Sequence, residues 1–328
     1  MLSGELRYLV LESAALAGNA LGDPTVREVP VYLPPEGDDV PLVAVLAGYG
    51  GVGKGALDGT PWEPSFPERY EKLLAAGQAA PAAFVFPDCF TRFGGSQYLN
   101  SITNGRYQDH LVDELFPFVE AECGVGGRPE RRGLTGRSSG GFGSLRACLD
   151  RPGHFGGLAC HAGDAYFELG YKPDFGRLME KIDRHGSLEA FVEAFEAAPK
   201  KSTPDFLAMS VLAMSTCYSP DAGRPFGAAL PFDPRTGRID EEVWARWVAH
   251  DPVERCREDG ANLADLALVF LDAGRSDEYH LQFGARQVAD ALRAHGVEVH
   301  HEEFDGGHMG TSWRYDVSLP LLTRALSG

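Results

Sequence analysis

Short apolar runs alternate with amphipathic segments through the first half of the chain. The runs have the length and composition of strands and lie at residues 6–11, 26–33, 42–47, 82–87, 132–135 and 155–160. The run at 42–47 is apolar throughout, as expected for a parallel strand that is covered on both faces. Segments with helical spacing fall between several of these runs, at residues 66–76, 106–123 and 144–149. This alternation predicts an α/β fold with a mainly parallel, doubly wound sheet.

The pattern changes near residue 163. From residue 164 to 256 no run resembles a parallel strand, and the segments with helical spacing are 175–185, 188–197, 205–217 and 241–250. Strand-like runs return at 266–271 and 297–303, with helical segments at 279–295 and 315–326. We therefore predict an α/β core formed by residues 1–163 and 257–328. The helical insertion, residues 164–256, is expected to cap the ligand crevice at the edge of the sheet.

The motif Gly136-x-Ser138-x-Gly140 lies between a predicted strand and a predicted helix. In that setting, a serine flanked by glycines is typical of a nucleophile elbow. The sharp turn strains the serine backbone and leaves no room for side chains on either side. The first N–H groups of the helix then point to the place where an oxyanion would form. The motif predicts Ser138 as a nucleophile, and the alternative is an ordinary loop rich in glycine and serine.

A second glycine-rich segment, residues 48–55, fits both G-x-G-x-x-G and G-x-x-x-x-G-K. Both patterns bind phosphate groups when they follow a strand and open a helix. The next residues, 56–64, include two prolines and a glycine, so a helix is not expected there. The alternative use of this loop is an oxyanion hole, in which the N–H of Tyr49 joins the N–H of Ser139.

A serine nucleophile needs a base and an acid that orients the base, and one large class of serine enzymes has the chain order Ser, acid, His. His308 is the favoured base because it lies in a glycine-rich loop between the last predicted strand and the last helix. The rival base is His161, just past a strand. Asp277 is the favoured acid, since it follows the strand at 266–271 and its short side chain suits a tight loop. Asp272 is expected to cap the end of that strand, and the fallback acids are Glu278 and Asp164.

Composition excludes some functions. The formal charge of −17 argues against nucleic acids and anionic membranes as partners. No run approaches 18 apolar residues, so no membrane span is expected. Six cysteines without C-x-x-C spacing, and no signal-peptide pattern at the start, favour reduced thiols in a cytoplasmic protein over disulfides in a secreted one. The oligomeric state stays open, with a homodimer among the states that the sequence allows.

Several segments in the same order resemble one family: residues 31–35, 46–49, 94–98, 113–118, 136–141, 272–277 and 306–308. Over about residues 25–163 and 265–328, the chain resembles the esterase branch of the α/β-hydrolases. That branch includes esterase D (S-formylglutathione hydrolase), enterochelin esterases and mycolyltransferases. The resemblance implies an α/β-hydrolase fold, a triad of Ser138, Asp277 and His308, and oxyanion-hole amides from Tyr49 and Ser139. It implies no metal and no organic cofactor.

These observations predict a serine hydrolase that cleaves a small-molecule carboxylic ester or thioester through an acyl-enzyme. Substrate contacts are expected from residues near the elbow and in the insertion: Gly48, Gly50, Tyr98, Arg137, Tyr166, Phe167 and Trp313. Acyl transfer or cyclisation by the same triad is the second enzyme interpretation, because it differs only in the acceptor that reaches the acyl-enzyme. A non-catalytic binding protein and a nucleotide-binding protein are the alternatives from other classes.

Overall fold

The computed structural model describes residues 2–35 and 39–328. Within them, eight strands form one sheet: β1 Glu5–Glu12, β2 Val26–Leu33, β3 Leu42–Leu46, β4 Ala83–Val85, β5 Arg132–Arg137, β6 Gly157–His161, β7 Leu268–Gly274 and β8 His300–Phe304. Their spatial order is β1-β2-β4-β3-β5-β6-β7-β8. β2 is antiparallel to both of its neighbours, and every other neighbouring pair is parallel. The predicted mainly parallel sheet is confirmed.

Most helices fall in segments with predicted helical spacing. The helices are α1 Phe66–Ala75, α2 Phe116–Cys123, α3 Ser139–Asp150, α4 Phe175–His185, α5 Leu188–Ala197, α6 Thr203–Tyr218, α7 Glu241–Val248, α8 Pro252–Asp259, α9 Leu281–Ala294 and α10 Tyr315–Ser327. However, α8 was not predicted, and α3 begins at Ser139, before the predicted segment 144–149. Single turns or short segments of helix lie at Tyr107–Asp109, His110–Leu115 and Phe167–Gly170. No helix of the described residues combines the length and the apolar character that a membrane span requires.

The sheet is covered on both faces, which explains the continuous apolar character of β3. Leu42, Ala44 and Leu46 belong to one buried cluster, which also contains residues of α3 and α9. Val43 and Val45 alternate with them and belong to the cluster on the opposite face, which contains residues of α1 and α10. Each residue of this strand is therefore buried, as the sequence pattern indicated.

A single regular helix over residues 106–123 would have to be kinked at Pro117. The structure has no such helix. A π-helical segment, His110–Leu115, precedes α2, and Pro117 takes the second position of α2. Proline has no N–H to donate, and its ring clashes with the preceding turn of a regular helix. The wider π-helical turn, in which Phe116 N–H donates to Leu111 O, moves the chain into a register that accepts Pro117.

The insertion has its own hydrophobic cluster, which is built from α4–α7 and centred on large aromatic side chains such as Phe175, Trp244 and Trp247. Val253 and Cys256 of α8 are buried in the main cluster of the sheet, although both lie inside the expected insertion, residues 164–256. The helices that share the cluster of the insertion, α4–α7, therefore end before Asp251, whose side chain caps the start of α8.

Candidate active site

Ser138 occupies the sharp turn between β5 and α3. Its φ of 58° and ψ of −126° are unusual for a residue with a Cβ. Its N–H donates to His161 O at 2.9 Å. As predicted, the turn is too crowded for side chains on the flanking glycines: a Cβ at Gly136 would lie 2.5 Å from Gly140 C, and one at Gly140 would overlap Leu46 O. The backbone thereby holds the Ser138 side chain at the carboxyl end of the sheet.

His308 lies in the loop between β8 and α10, and its ring is bound to Asp277. The distance from His308 Nδ1 to Asp277 Oδ2 is 2.8 Å, and both side chains are almost fully buried. Asp277 Oδ1 accepts a second hydrogen bond from the N–H of Tyr279 at 2.9 Å. With Nδ1 protonated toward Asp277, Nε2 of His308 is left free to accept a proton.

The other carboxylates that follow β7 or β6 are used differently. Glu278 accepts a hydrogen bond from the backbone N–H of His308 at 2.6 Å, so it binds the same loop without touching the ring. Asp272 does not cap the end of β7, because it lies within the strand and is buried. Its carboxylate contacts His161 Nδ1 at 2.8 Å and Arg314 Nε at 2.7 Å.

His161 thus belongs to a second Ser–His–Asp arrangement with good hydrogen-bond geometry. Its Nε2 lies 2.8 Å from Ser318 Oγ, and its Nδ1 faces Asp272. Ser318 is fully buried within α10, so a substrate cannot reach its hydroxyl. This arrangement has the hydrogen bonds of a catalytic triad, but its role is structural, since it links β6, β7 and α10.

The loop that contains Tyr49, the candidate oxyanion loop, packs against a small hairpin in which Phe90–Thr91 pairs with Gly94–Gly95. The Tyr49 hydroxyl donates to Phe93 O at 2.7 Å, and Tyr49 O accepts from Gly95 N–H at 2.8 Å. A Cβ at Gly94 would overlap the Tyr49 ring, so the glycine pair lets the hairpin pack against the loop. Within the described residues, the N–H groups of Tyr49 and Ser139 have no acceptor, which leaves both able to bind a ligand oxygen.

The rest of the glycine-rich segment does not form a phosphate-binding loop. Gly53–Leu57 is a short 3₁₀ turn that ends at Asp58, and no α-helix begins there. The Lys54 side chain is exposed and lies 4.0 Å from Glu28. The helix N-terminus that a nucleotide phosphate would require is therefore replaced by this turn, in agreement with the sequence argument.

A cavity of about 440 Å³ opens over the elbow, and Ser138, Ser139 and His308 all line it. Apolar and aromatic side chains supply most of the remaining wall: Tyr49, Phe167, Tyr171, Phe206, Leu207, Met214, Tyr279, Leu281 and Met309. The insertion contributes Phe206, Leu207 and Met214 from α6. The candidate nucleophile and the candidate base therefore share one largely apolar cavity.

Asp164 is hydrogen-bonded to the candidate nucleophile. Its Oδ1 accepts from Ser138 Oγ at 3.2 Å, and its Oδ2 accepts from Ser139 Oγ at 2.8 Å. Across the part of the chain that the structure describes, no hydrogen bond joins Ser138 Oγ to His308. Among the same residues, Asp164 forms neither a hydrogen bond nor an ion pair with the His308 ring, so it does not fit the role of fallback acid.

Of the predicted substrate contacts, Gly48, Gly50, Arg137 and Phe167 line the cavity. Tyr98, Tyr166 and Trp313 do not line it. The Tyr98 hydroxyl donates to Ala47 O, and its ring packs against Gly143 of α3.

The other two residues also have structural contacts. The Tyr166 N–H donates to Asp251, at the boundary of the insertion. Trp313 packs its ring against Phe304 and the guanidinium of Arg314, and is 43% exposed.

Sequence reasoning did not find the wall that α6 supplies. Phe206, Ser210 and Met214 recur every four residues, which is the spacing of one helix face. That signal was hidden because Ala208–Met209 and Val211–Ala213 are also buried, so apolar residues surround the helix. Asp164, expected only as a fallback acid, lies just beyond the carboxyl end of β6 and accepts a hydrogen bond from Ser138 Oγ instead.

Part of the chain is similar in sequence to a bacterial protein. The chain is 36% identical over 88 residues to YbbA, an uncharacterized protein of Bacillus subtilis. The match covers 27% of this chain and 32% of YbbA, so the chain aligns with about a third of the length of that relative.

Several solved structures are similar to this chain over almost its whole length. A ferulic acid esterase is similar with a TM-score of 0.64 and 17% identity, over 99% of this chain and 100% of that one. An S-formylglutathione hydrolase from Agrobacterium tumefaciens has a TM-score of 0.60 and 13% identity, over 99% and 97%. FphF, a fluorophosphonate-binding serine hydrolase of Staphylococcus aureus, has a TM-score of 0.56 and 13% identity, over 99% of each chain. These likenesses establish the α/β-hydrolase fold.

A family model covers most of the sequence. Residues 23–320 match the family described as "Putative esterase", and this range includes Ser138, Asp277 and His308. The chain therefore belongs to that esterase family and has the α/β-hydrolase fold.

Proposed function

We propose that this protein hydrolyses a carboxylic ester or thioester through an acyl-enzyme on Ser138. The observation that carries the proposal is that Ser138 and His308 open on one cavity while Asp277 holds the His308 ring at 2.8 Å. In this reaction the nucleophile, the base and the orienting acid have separate roles.

The reaction begins when Ser138 Oγ turns from Asp164 toward His308 Nε2. As Oγ attacks the carbonyl carbon, its proton passes to His308, and the ester oxygen or thioester sulfur leaves with that proton. A water molecule then attacks the acyl carbon with His308 as base, the bond to Ser138 Oγ breaks, and His308 returns the proton to Oγ as the carboxylic acid is released. Asp277 keeps its hydrogen bond to Nδ1 throughout and stabilises the imidazolium.

The N–H groups of Tyr49 and Ser139 are the proposed oxyanion donors. Both lack an acceptor among the described residues, and they flank Ser138 from two different elements. A donor that is fixed in place before the charge develops contributes about 3–4 kcal/mol to transition-state stabilisation in comparable sites. Burial raises the pKa of the Tyr49 phenol, so the side chain remains neutral and keeps its hydrogen bond to Phe93.

A second cavity, of about 400 Å³, lies on the other side of the Gly48 loop and shares Gly48, Gly51 and Arg137 with the first. We assign the capped cavity to the acyl group and the second cavity to the leaving group. The second cavity has the more polar wall, including Ser65 and Arg69, as a leaving group that returns to water requires.

The six cysteines are unpaired and five of them are buried, which supports a reducing compartment and, within this proposal, a cytoplasmic location.

Asp277→Asn tests the assignment of the acid. It should lower kcat for ester hydrolysis about 10⁴-fold. The asparagine side chain favours the tautomer of His308 that cannot accept the proton of Ser138, and it carries no charge to stabilise the imidazolium. Initial rates with a chromogenic ester, corrected for folded protein by circular dichroism, measure this change.

Asp272→Asn is the matched control, since it removes the same charge from the buried arrangement around His161. It should lower the melting temperature while kcat stays within a few-fold of the wild-type value. A larger loss of kcat in folded Asp272→Asn than in Asp277→Asn would contradict the assignment.

A further inference from the structure

The two carboxylate oxygens of Asp164 have different surroundings. Oδ2 accepts three hydrogen bonds: from Ser139 Oγ at 2.8 Å, from the Tyr171 hydroxyl at 2.7 Å and from Gln97 Nε2 at 3.1 Å. Burial, and then the charge of Asp164, raise the pKa of Tyr171 well above its usual value, so this phenol remains a donor. The partner of Oδ1 is Ser138 Oγ, at 3.2 Å. The carboxylate is therefore fixed through one oxygen, while the other faces the nucleophile.

Asp164 is a buried carboxyl group that has no cationic partner among the described residues. Its side chain lines the cavity, the residue is 7% exposed, and no ion pair involves it in residues 2–35 or 39–328. The other carboxylate of the cavity wall, Asp174, is paired with Arg177 Nε at 2.6 Å. Arg137, the guanidinium on the wall, donates to Thr311 Oγ1. Burying an unpaired charge is costly, and such groups occur preferentially at functional sites.

Catalysis by the proposed mechanism removes the hydrogen bond on Oδ1. When Ser138 Oγ turns toward His308, and again when Oγ carries the acyl group, it no longer donates to Asp164. A buried acceptor that loses its donor is destabilised unless another donor replaces it. The acyl group itself is the nearest chemical group that could supply one, since it is bonded to the same Oγ.

We propose that the substrate is an aminoacyl ester or thioester whose ammonium group binds Asp164 Oδ1. The ammonium group lies on the carbon next to the scissile carbonyl, close to the position from which Ser138 Oγ contacts Asp164. Phe167, Tyr171 and Tyr279 add aromatic rings to the same cavity, and aromatic faces attract cations. This inference rests on the proposed function and adds a substrate class to it.

A set of esters with one leaving group tests the inference. Phenylalanine methyl ester and methyl 3-phenylpropanoate differ only in the ammonium group, and methyl 2-hydroxy-3-phenylpropanoate has a neutral donor in its place. We expect kcat/KM of the wild type to be about 10–100-fold higher for the amino ester than for 3-phenylpropanoate. Asp164→Asn should reduce that ratio to within about threefold, whereas Asp272→Asn, which alters a buried carboxylate that does not line the cavity, should keep it.

The outcomes distinguish the inference from the function on which it rests. Equal turnover of the amino ester and 3-phenylpropanoate, or a preference that survives Asp164→Asn, would overturn the inference and leave the esterase mechanism intact. Hydroxy-ester turnover as fast as that of the amino ester would overturn the ammonium assignment. Fluorophosphonate labelling of Ser138 without turnover of the amino ester would also overturn only the inference. The absence of both labelling and turnover would refute the proposed function, and the inference with it.

Discussion

His308→Ala is expected to lower kcat for ester hydrolysis by about 10⁵–10⁶-fold. Without the imidazole, Ser138 has no base to take its proton and the leaving group has no acid to protonate it. The loss should appear in kcat more than in KM, because the ring acts on the reacting atoms and the cavity that binds the acyl group stays in place. Single-turnover rates with an activated ester measure the effect.

His300→Ala provides the comparison. His300 lies on the same strand–loop unit, but its side chain is 42% exposed and contacts Glu302. Its replacement should change kcat less than about twofold, as is usual for surface positions. More than about 1% residual activity in folded His308→Ala would contradict the role of His308.

Gly140→Ala is expected to destabilise the folded state by more than about 4 kcal/mol, enough to prevent recovery of folded protein at 37 °C. A Cβ at this position would overlap the Leu46 carbonyl oxygen and would lie 2.6 Å from Leu46 C. Both atoms are backbone of the central strand β3, so neither can move without breaking the sheet. Urea unfolding monitored by tryptophan fluorescence measures the change.

Gly176→Ala is the matched glycine control. Gly176 lies in α4 with open space around the position of a Cβ and without a positive φ. Alanine is the better helix former by about 0.8–1 kcal/mol, so stability should be unchanged or slightly higher. If Gly140→Ala unfolds at the same urea concentration as Gly176→Ala, the elbow is less crowded than described.

The sequence was sufficient for the fold where the physical signal is local. The all-apolar β3 predicted burial on both faces, and Val43 and Leu42 do belong to opposite clusters. Helix α4 was predicted with its observed limits, because apolar spacing and the glycine that follows His185 mark it clearly. The glycines around Ser138 predicted a tight turn for a steric reason that the structure bears out.

The remaining features depend on contacts between distant parts of the chain. The spacing could not show that Tyr98 packs on Gly143, or that α8 joins the sheet layer instead of the insertion. The cavity face of α6 could not be identified, since the helix is buried on nearly all sides. The sequence favoured His308 over His161 by position, but it could not show that each histidine has an aspartate at 2.8 Å and that the serine beside His161 is fully buried.

The most direct measurement is the intact mass of the protein after brief treatment with a fluorophosphonate. The wild type and Ser318→Ala should each gain one adduct, because Ser138 is activated in both, while Ser138→Ala should gain none. Ser318→Ala also tests the buried arrangement, whose loss should affect stability alone. An adduct that persists in Ser138→Ala, or no adduct on folded wild-type protein, would contradict the assignment of Ser138 as the nucleophile.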